Sequence, residues 1–300
     1  MDSINKYLKV LILFIVLVSC EDVIDVELPT TQQRLNVNAL IRVDISQAFI
    51  PIEVKVSLTN NFFEEIPITE AESIVILAEE FDENGVVINF RSSSLSEKEP
   101  NSGIYTPDPN FSSDQRMPTN ILNNNILFSL LIRHEGRAYL AQTRYVPTAP
   151  IDTILQGNAT LFEGDETEVI VTFTDDFERD DFYVFDFDFE EFLVTEDEFY
   201  PGQQFEFSYF YDRTFDSGRQ IDISILGADE TFYNYMNQLI VQSGDTQGPF
   251  QTPVATVRGN IFDVTDLDNS DVFDSVDQPD LYPLGYFAIV QEYKRTITIK

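Results

Sequence analysis

Phe182-Tyr183-Val184-Phe185-Asp186-Phe187-Asp188-Phe189-Glu190-Glu191-Phe192 is the run on which the reading of this chain turns. Aromatic residues hold every odd position from 183 to 189, while Asp186, Asp188 and Glu190 take even ones. Successive side chains of a strand leave opposite faces, so this period of two describes a strand with an aromatic, core-facing side and an acidic, wet side. Half of the 26 phenylalanines lie between Phe162 and Phe215, which predicts an aromatic-rich core around that strand. Rings at alternating positions are most simply core. Tyrosines such as Tyr209 and Tyr211, if exposed, would instead stack on sugars or contact a partner.

Working outward, further strands are expected over residues 153–162, 168–174, 204–211 and 220–226, and later over 254–262 and 285–299. One helix interrupts them. Asp229 caps it, Phe232, Tyr235, Met236, Leu239 and Ile240 follow helical spacing, and Gly244 stands where a left-handed stop belongs. Upstream, residues 34–41 and 50–58 alternate as half-buried strands do. Residues 73–81 make a third strand, and Asn84-Gly85 forms a hairpin turn before residues 86–90. Residues 92–125 read as loop with a short strand near Ile104. Residues 126–133 and 138–145 flank the turn His134-Glu135-Gly136-Arg137.

Pro147 and Pro150 block ladder pairing and place a boundary between the halves. The expected fold class is therefore mainly β, with two β-sandwich domains. The first, at 33–146, is immunoglobulin-like; the second, at 151–300, carries one packed α-helix and an acidic insertion at 263–280.

Composition excludes several functions. The formal net charge is −34, and from Tyr145 to Val257 the only basic residues are Arg179, Arg213 and Arg219. Neutralising phosphates needs clustered lysine and arginine, so nucleic-acid binding is ruled out. High charge alone would suggest disorder, but 26 Phe and 13 Tyr supply ample material for packed sheets. His134 is the only histidine and Cys20 the only cysteine, so a disulfide within the chain and zinc sites built on these residues fail by counting. His134 reads as an exposed turn residue without a nucleophile beside it. No HExxH, GxSxG or glycine-rich phosphate loop is present, and the chain is read as a non-enzyme.

The acids leave one metal candidate. Asp266, Asp268 and Asp271 lie in Asp266-Leu267-Asp268-Asn269-Ser270-Asp271, a loop whose oxygens could wrap calcium. It departs from the EF-hand, because Asp271 stands where glycine is required and Asp277 replaces the closing glutamate. The alternative is a solvated acidic loop. The cluster from Asp175 to Asp181 is a weaker cation candidate of the same kind; no other cofactor is indicated.

The first residues carry an address. Lys6 and Lys9 precede an unbroken apolar run from Val10 to Val18, closed by Ser19. This is the layout of a secretory signal, and the run is too short to span a bilayer, which takes ~20 apolar residues. Leu17-Val18-Ser19-Cys20 resembles the bacterial lipobox, so residues 1–19 are expected to be removed and Cys20 to be lipidated. Glu21 and Asp22 resemble the acidic export signal that sends lipoproteins of Bacteroidetes to the cell surface. Residues 20–32 then read as a tether.

Several motifs in order carry a wider resemblance. They are Cys20-Glu21-Asp22-Val23-Ile24-Asp25-Val26-Glu27-Leu28-Pro29, Arg133-His134-Glu135-Gly136-Arg137-Ala138-Tyr139, and Val146-Pro147-Thr148-Ala149-Pro150-Ile151-Asp152-Thr153-Ile154. Tyr233-Asn234-Tyr235, Gly248-Pro249-Phe250, Asn260-Ile261 and Leu284-Gly285-Tyr286-Phe287 extend it. With these the chain resembles the Bacteroidetes outer-membrane lipoproteins grouped as domain of unknown function 4249, departing from them in the acidic insertion between Asn260 and Leu284. The resemblance implies no catalytic residues. It implies a lipid-anchored outer-membrane protein facing the cell exterior, acting as an accessory binding subunit beside a TonB-dependent transporter. The competing expectation is a structural or adhesion component of the envelope.

Overall fold

The computed structural model describes residues 33–60, 66–161, 164–197, 202–243, 256–265 and 282–300. In the first half, β1 (Leu35–Val43), β2 (Val54–Leu58), β3 (Ser73–Phe81), β4 (Val87–Glu97), β5 (Ile104–Pro107), β6 (Ile126–His134), β7 (Arg137–Thr143) and β8 (Tyr145–Val146) follow one another. The second half adds β9 (Ile151–Gln156), β10 (Thr167–Thr174), β11 (Phe182–Asp186), β12 (Phe192–Glu196), β13 (Gln204–Tyr211) and β14 (Gln220–Ala228). Helix α1 (Glu230–Ser243), β15 (Phe262–Asp263) and β16 (Leu284–Thr298) complete it. The chain is mainly β and sandwich-like, with one α-helix among the described residues.

Alternation explains the strands. Every odd residue of β1 is buried, from Leu35 to Val43, as are Ile74, Ile76 and Ala78 of β3 and Phe128, Leu130 and Ile132 of β6. These side chains meet in a single core, so the ladder β1-β2-β5-β4-β3-β6-β7 curls back and packs against itself. A second core joins Val169, Val171 and Phe173 of β10 to Tyr183 and Phe185 and to Ile221, Ile223 and Ile225 of β14. Here the small sheet β13-β10-β9 covers one face of the ladder β12-β11-β14-β16. On the opposite face α1 seals a third core with Phe232 and Met236 against Val184, Leu226, Tyr286, Ala288 and Val290. The helix starts where Asp229 Oδ1 accepts the Phe232 N–H at 2.7 Å, the cap expected from sequence. Its expected stop, Gly244, lies outside the described residues.

The last strand ties the halves together. β16 runs parallel to β1 over Leu284–Gln291, then antiparallel to β14 over Glu292–Thr298. Phe287 and Ile289 belong to the first core, while Tyr286, Ala288 and Val290 belong to the third. Gly285 makes the close approach to β1 feasible. Its φ is +97°, and a Cβ there would fall on the carbonyl oxygen of Val37. Gly285→Ala is therefore expected to lower stability by about 2 kcal/mol or more, through left-handed strain and a backbone clash. A urea melt of the variant checks it, and an unchanged midpoint would contradict the role given to this pairing.

The aromatic run departs from expectation. It is a hairpin, not one strand. β11 ends at Asp186, the chain reverses through residues 187–191, and β12 returns antiparallel, pairing Asp186 with Phe192. The Phe187 N–H donates to the Glu191 carbonyl at 2.8 Å, and the Glu191 N–H to that of Asp188 at 2.9 Å. Asp188, Phe189 and Glu190 all hold positive φ, at 64°, 53° and 65°. Three consecutive non-glycine residues in this region are costly and must be held from outside. Phe189 supplies that hold, packing on Phe215 at 5.4 Å and lying under the guanidinium groups of Arg213 and Arg219, each 5.3 Å away. The inward readings survive the reversal, since Tyr183, Phe185 and Phe187 are fully buried.

Three smaller expectations also change. His134 is buried at the end of β6, with Nε2 2.7 Å from Thr69 Oγ1, and the turn is made by Glu135 and Gly136. β4 continues to Glu97 through Ser92, Ser93 and Ser94, because β3 supplies a full ladder partner that outweighs serine's weak strand preference. Within residues 254–262, the described part is extended only at Phe262, where β15 pairs with β7.

Candidate functional site

The sheet face that α1 covers changes character beyond the helix. Along β11, β14 and β16 the apolar row Val184 and Leu226 gives way to Asp186, Ser224 and Lys294, which are neighbours across the ladder. Arg42, on the same face of β1, reaches over β16 toward them. The result is a charged cleft of about 360 Å³ lined by Arg42, Asp186, Asp188, Asp222, Ser224, Glu292 and Lys294.

Arg42 organises its floor. One Nη donates to Asp186 Oδ2 at 2.6 Å and the other to Glu292 Oε1 at 2.7 Å. All three side chains are less than one-third exposed, so these pairs are screened less than surface ones. Ser224 Oγ also donates to Glu292 Oε1, at 2.6 Å, and the Asp188 N–H donates to Asp186 Oδ1 at 2.9 Å. The strained turn at 188–190 thus closes directly over the cleft. At the far end Thr296 Oγ1 donates to Asp222 Oδ1 at 2.6 Å and Lys294 Nζ lies 3.4 Å from Oδ2. Those two contacts, the hydroxyl first, hold the Asp222 carboxyl below its ordinary range. Arg42 Nε is buried without a hydrogen-bond partner.

Four carboxylates face two cations, so the cleft is anionic. Its chemistry suits retention of a cationic or hydroxyl-rich group by ion pairs and hydrogen bonds. Ser224 has its hydroxyl committed to a carboxylate already paired with Arg42, an arrangement that orients groups but gives Ser224 no free base.

A second acidic group carries its own arginine. Tyr183 OH is shared between Asp175 and Asp181, and the Gly202 N–H donates to Asp175 Oδ2 at 2.6 Å. Arg179 forks onto Asp181, with Nη2 2.8 Å from Oδ2, and reaches Asp176 at 3.1 Å. The guanidinium thus pairs with two of the carboxylates in the Asp175–Asp181 cluster, and Asp175 is held by Tyr183 and Gly202. Asp197 joins them as its Oδ2 accepts the Asp181 N–H at 3.1 Å.

Burial raises the Asp197 carboxyl above its ordinary value, and the charges of Asp175, Asp181 and Asp180 push the same way. A carboxyl raised on folding binds its proton more tightly folded than unfolded. Its contribution is fullest at low pH and declines as pH climbs from about 3.8 through the raised value. Asp197→Asn keeps the acceptor for Asp181 without the charge. It is expected to raise the urea midpoint at pH 7 and to change little near pH 3; a lower midpoint at pH 7 would contradict the assignment.

Tyr209 and Tyr211 are core residues rather than sugar platforms. Tyr211 is fully buried and its OH donates to the Phe187 carbonyl at 2.7 Å. Tyr209 stacks on Phe187 at 3.8 Å and its OH donates to Glu191 Oε2 at 2.6 Å. Cys20, Glu21 and Asp22, and the calcium candidates Asp266, Asp268 and Asp271, lie outside the described residues. Among the described residues no group of three or more histidine, cysteine, aspartate or glutamate side chains is arranged to hold a metal, and no helix is long and apolar enough to cross a membrane. The cleft itself escaped sequence reading. Asp186 was legible as a wet-face residue, but its partner Arg42 lies 144 positions away.

Comparison with known proteins gives one family. The profile described as "Domain of unknown function (DUF4249)" matches residues 21–272. No curated protein matches the chain. Among solved structures, red sea bream transglutaminase aligns at 11% identity over 66% of this chain and 29% of its own, with a TM-score of 0.19. At that score the likeness carries no argument about fold or activity, and the chain spans under a third of that protein.

Proposed function

The chain belongs to the family described as domain of unknown function (DUF4249), and from that premise we propose that it is a lipid-anchored outer-membrane protein, exposed at the cell surface, that works by binding rather than catalysis. Its place is beside a TonB-dependent transporter, as an accessory subunit. The observation that carries the reading is the leader ending in Leu17-Val18-Ser19-Cys20, followed by Glu21-Asp22. The family match covers residues 21–272, a span that lies within the chain left after removal of residues 1–19. Acylation of Cys20 would hold the chain at the membrane, each buried methylene contributing ~0.8 kcal/mol. The charged cleft beside α1 supports binding, since its polar groups converge on one open face and are held in place by Arg42.

Purification of the tagged, acylated protein from detergent-solubilised outer membranes tests the proposal. Recovery of an outer-membrane β-barrel transporter in comparable amount is expected. Its absence under conditions that keep the acylated protein intact would remove the partner. Unchanged uptake with altered attachment in a deletion strain would move the protein to a structural or adhesive role.

A further inference from the structure

We propose that the free edge of β4, over residues 86–92, is a docking site for an extended basic segment of a partner protein, which adds to the sheet as one more strand. Its basis is the geometry of β4 and is independent of the lipid-anchor reading.

Apolar side chains crowd this edge without cover. Val86 is 58% exposed, Val87 45%, Ile88 61% and Phe90 54%. They sit in a hairpin paired on one side only. β3 supplies the ladder from Phe81 to Ile74, whereas β5 reaches β4 only over Leu95–Glu97. Beyond that contact no described strand pairs with the outer edge of β4.

The backbone directions follow from the next residue along. Ser94 donates its N–H to Gln115 Oε1 at 2.7 Å and accepts the Asp108 N–H at 2.9 Å, so its polar groups point outward from β3. These directions repeat every second residue, which sends the N–H and C=O of Ser92 and Phe90 outward too. The Phe90 N–H is occupied only by the neighbouring Asn89 side chain, at 2.9 Å. The ladder to β3 slips by one residue opposite Glu80 and Phe81, so the regular part of this edge begins at Asn89 and the exposed Val86, Val87 and Ile88 stand at its turn end; an exposed edge of this kind is one that proteins ordinarily blunt with charge, proline or a covering element. About five or six residues of an incoming strand would fill it.

Charge selects the occupant. Glu79 stands directly across from Phe90 and Glu80 across from Asn89, and Asp82 and Glu83 follow in the turn, while Arg91 is the one basic residue in the sequence of this hairpin, 73–97. A second copy of a chain with net charge −34 would bring the same acids to the same edge. A segment alternating apolar residues with lysine or arginine meets both the exposed apolar side chains and the acids.

An eight-residue synthetic peptide alternating lysine with valine is the probe. Added to the intact protein, it should slow amide exchange at Phe90 and Ser92 at least tenfold, while a glutamate–valine peptide of the same length should not. Ser92→Pro deletes the outward N–H without touching a bond to β3, and should weaken binding at least tenfold with an unchanged melting curve. Phe90→Lys serves the same purpose should the proline variant fail to fold. Absence of protection, equal protection by the acidic peptide, binding retained by both variants, or self-association of the protein through this edge would each overturn the proposal.

Discussion

A Cys20→Ser chain is expected to leave the membrane fraction entirely. The lone cysteine follows the apolar run and is the single acylation point in the reading advanced above. With two or more acyl chains buried, each methylene contributing ~0.8 kcal/mol, membrane attachment is stable, whereas a single chain holds only marginally. With none, that contribution is lost; among the described residues no helix is long and apolar enough to cross a membrane. Labelled palmitate incorporation and fractionation check this together. The native chain should carry label and sediment with outer membranes; the serine variant should do neither. A serine variant that stays membrane-bound without label would place the anchor elsewhere.

Phe173→Ala is the largest expected loss of stability. The ring is fully buried at the centre of the second core, 5.1 Å from Tyr183, 5.5 Å from Phe185 and 6.0 Å from Phe205 between ring centroids. Removing a buried phenylalanine ring typically costs about 3–5 kcal/mol, a large share of the ~5–15 kcal/mol by which domains are stable. The urea midpoint should fall sharply, with loss of near-UV dichroism from the surrounding tyrosines. Phe177 provides the internal contrast. It is 78% exposed, and its replacement by alanine should leave the midpoint nearly unchanged. Equal effects at the two positions would mean that the core has been misplaced.

Particular residues show why some of this was legible in the sequence. The period of two in Leu35–Val43 and the cap at Asp229 are local signals, written within a few residues and read without knowledge of the rest. The hairpin in the aromatic run gave no such signal. Its left-handed residues are Asp188, Phe189 and Glu190, and only the aspartate is a type that tolerates this conformation at low cost. The turn is held by Phe215, Arg213 and Arg219, and such tertiary restraint leaves no trace in the run itself. The parallel pairing of β1 with β16 and the contact of Arg42 with Glu292, 250 positions apart, are likewise set by the fold as a whole. The acidic positions were readable, whereas the cleft they build with Arg42 was not. At the apolar hairpin tip the strand expected from residue 86 begins at Val87, but exposure is a property of what the rest of the chain fails to cover.

The position proposed for this chain is the outside of the cell. Brief proteinase K treatment of intact cells, followed by immunoblotting for the protein and for a periplasmic control, tests it most directly. Degradation of the protein with survival of the control is expected, and replacing Glu21 and Asp22 by alanine should protect it by leaving it on the periplasmic side. Full protection of the native protein in intact cells, with digestion only after the outer membrane is permeabilised, would contradict it.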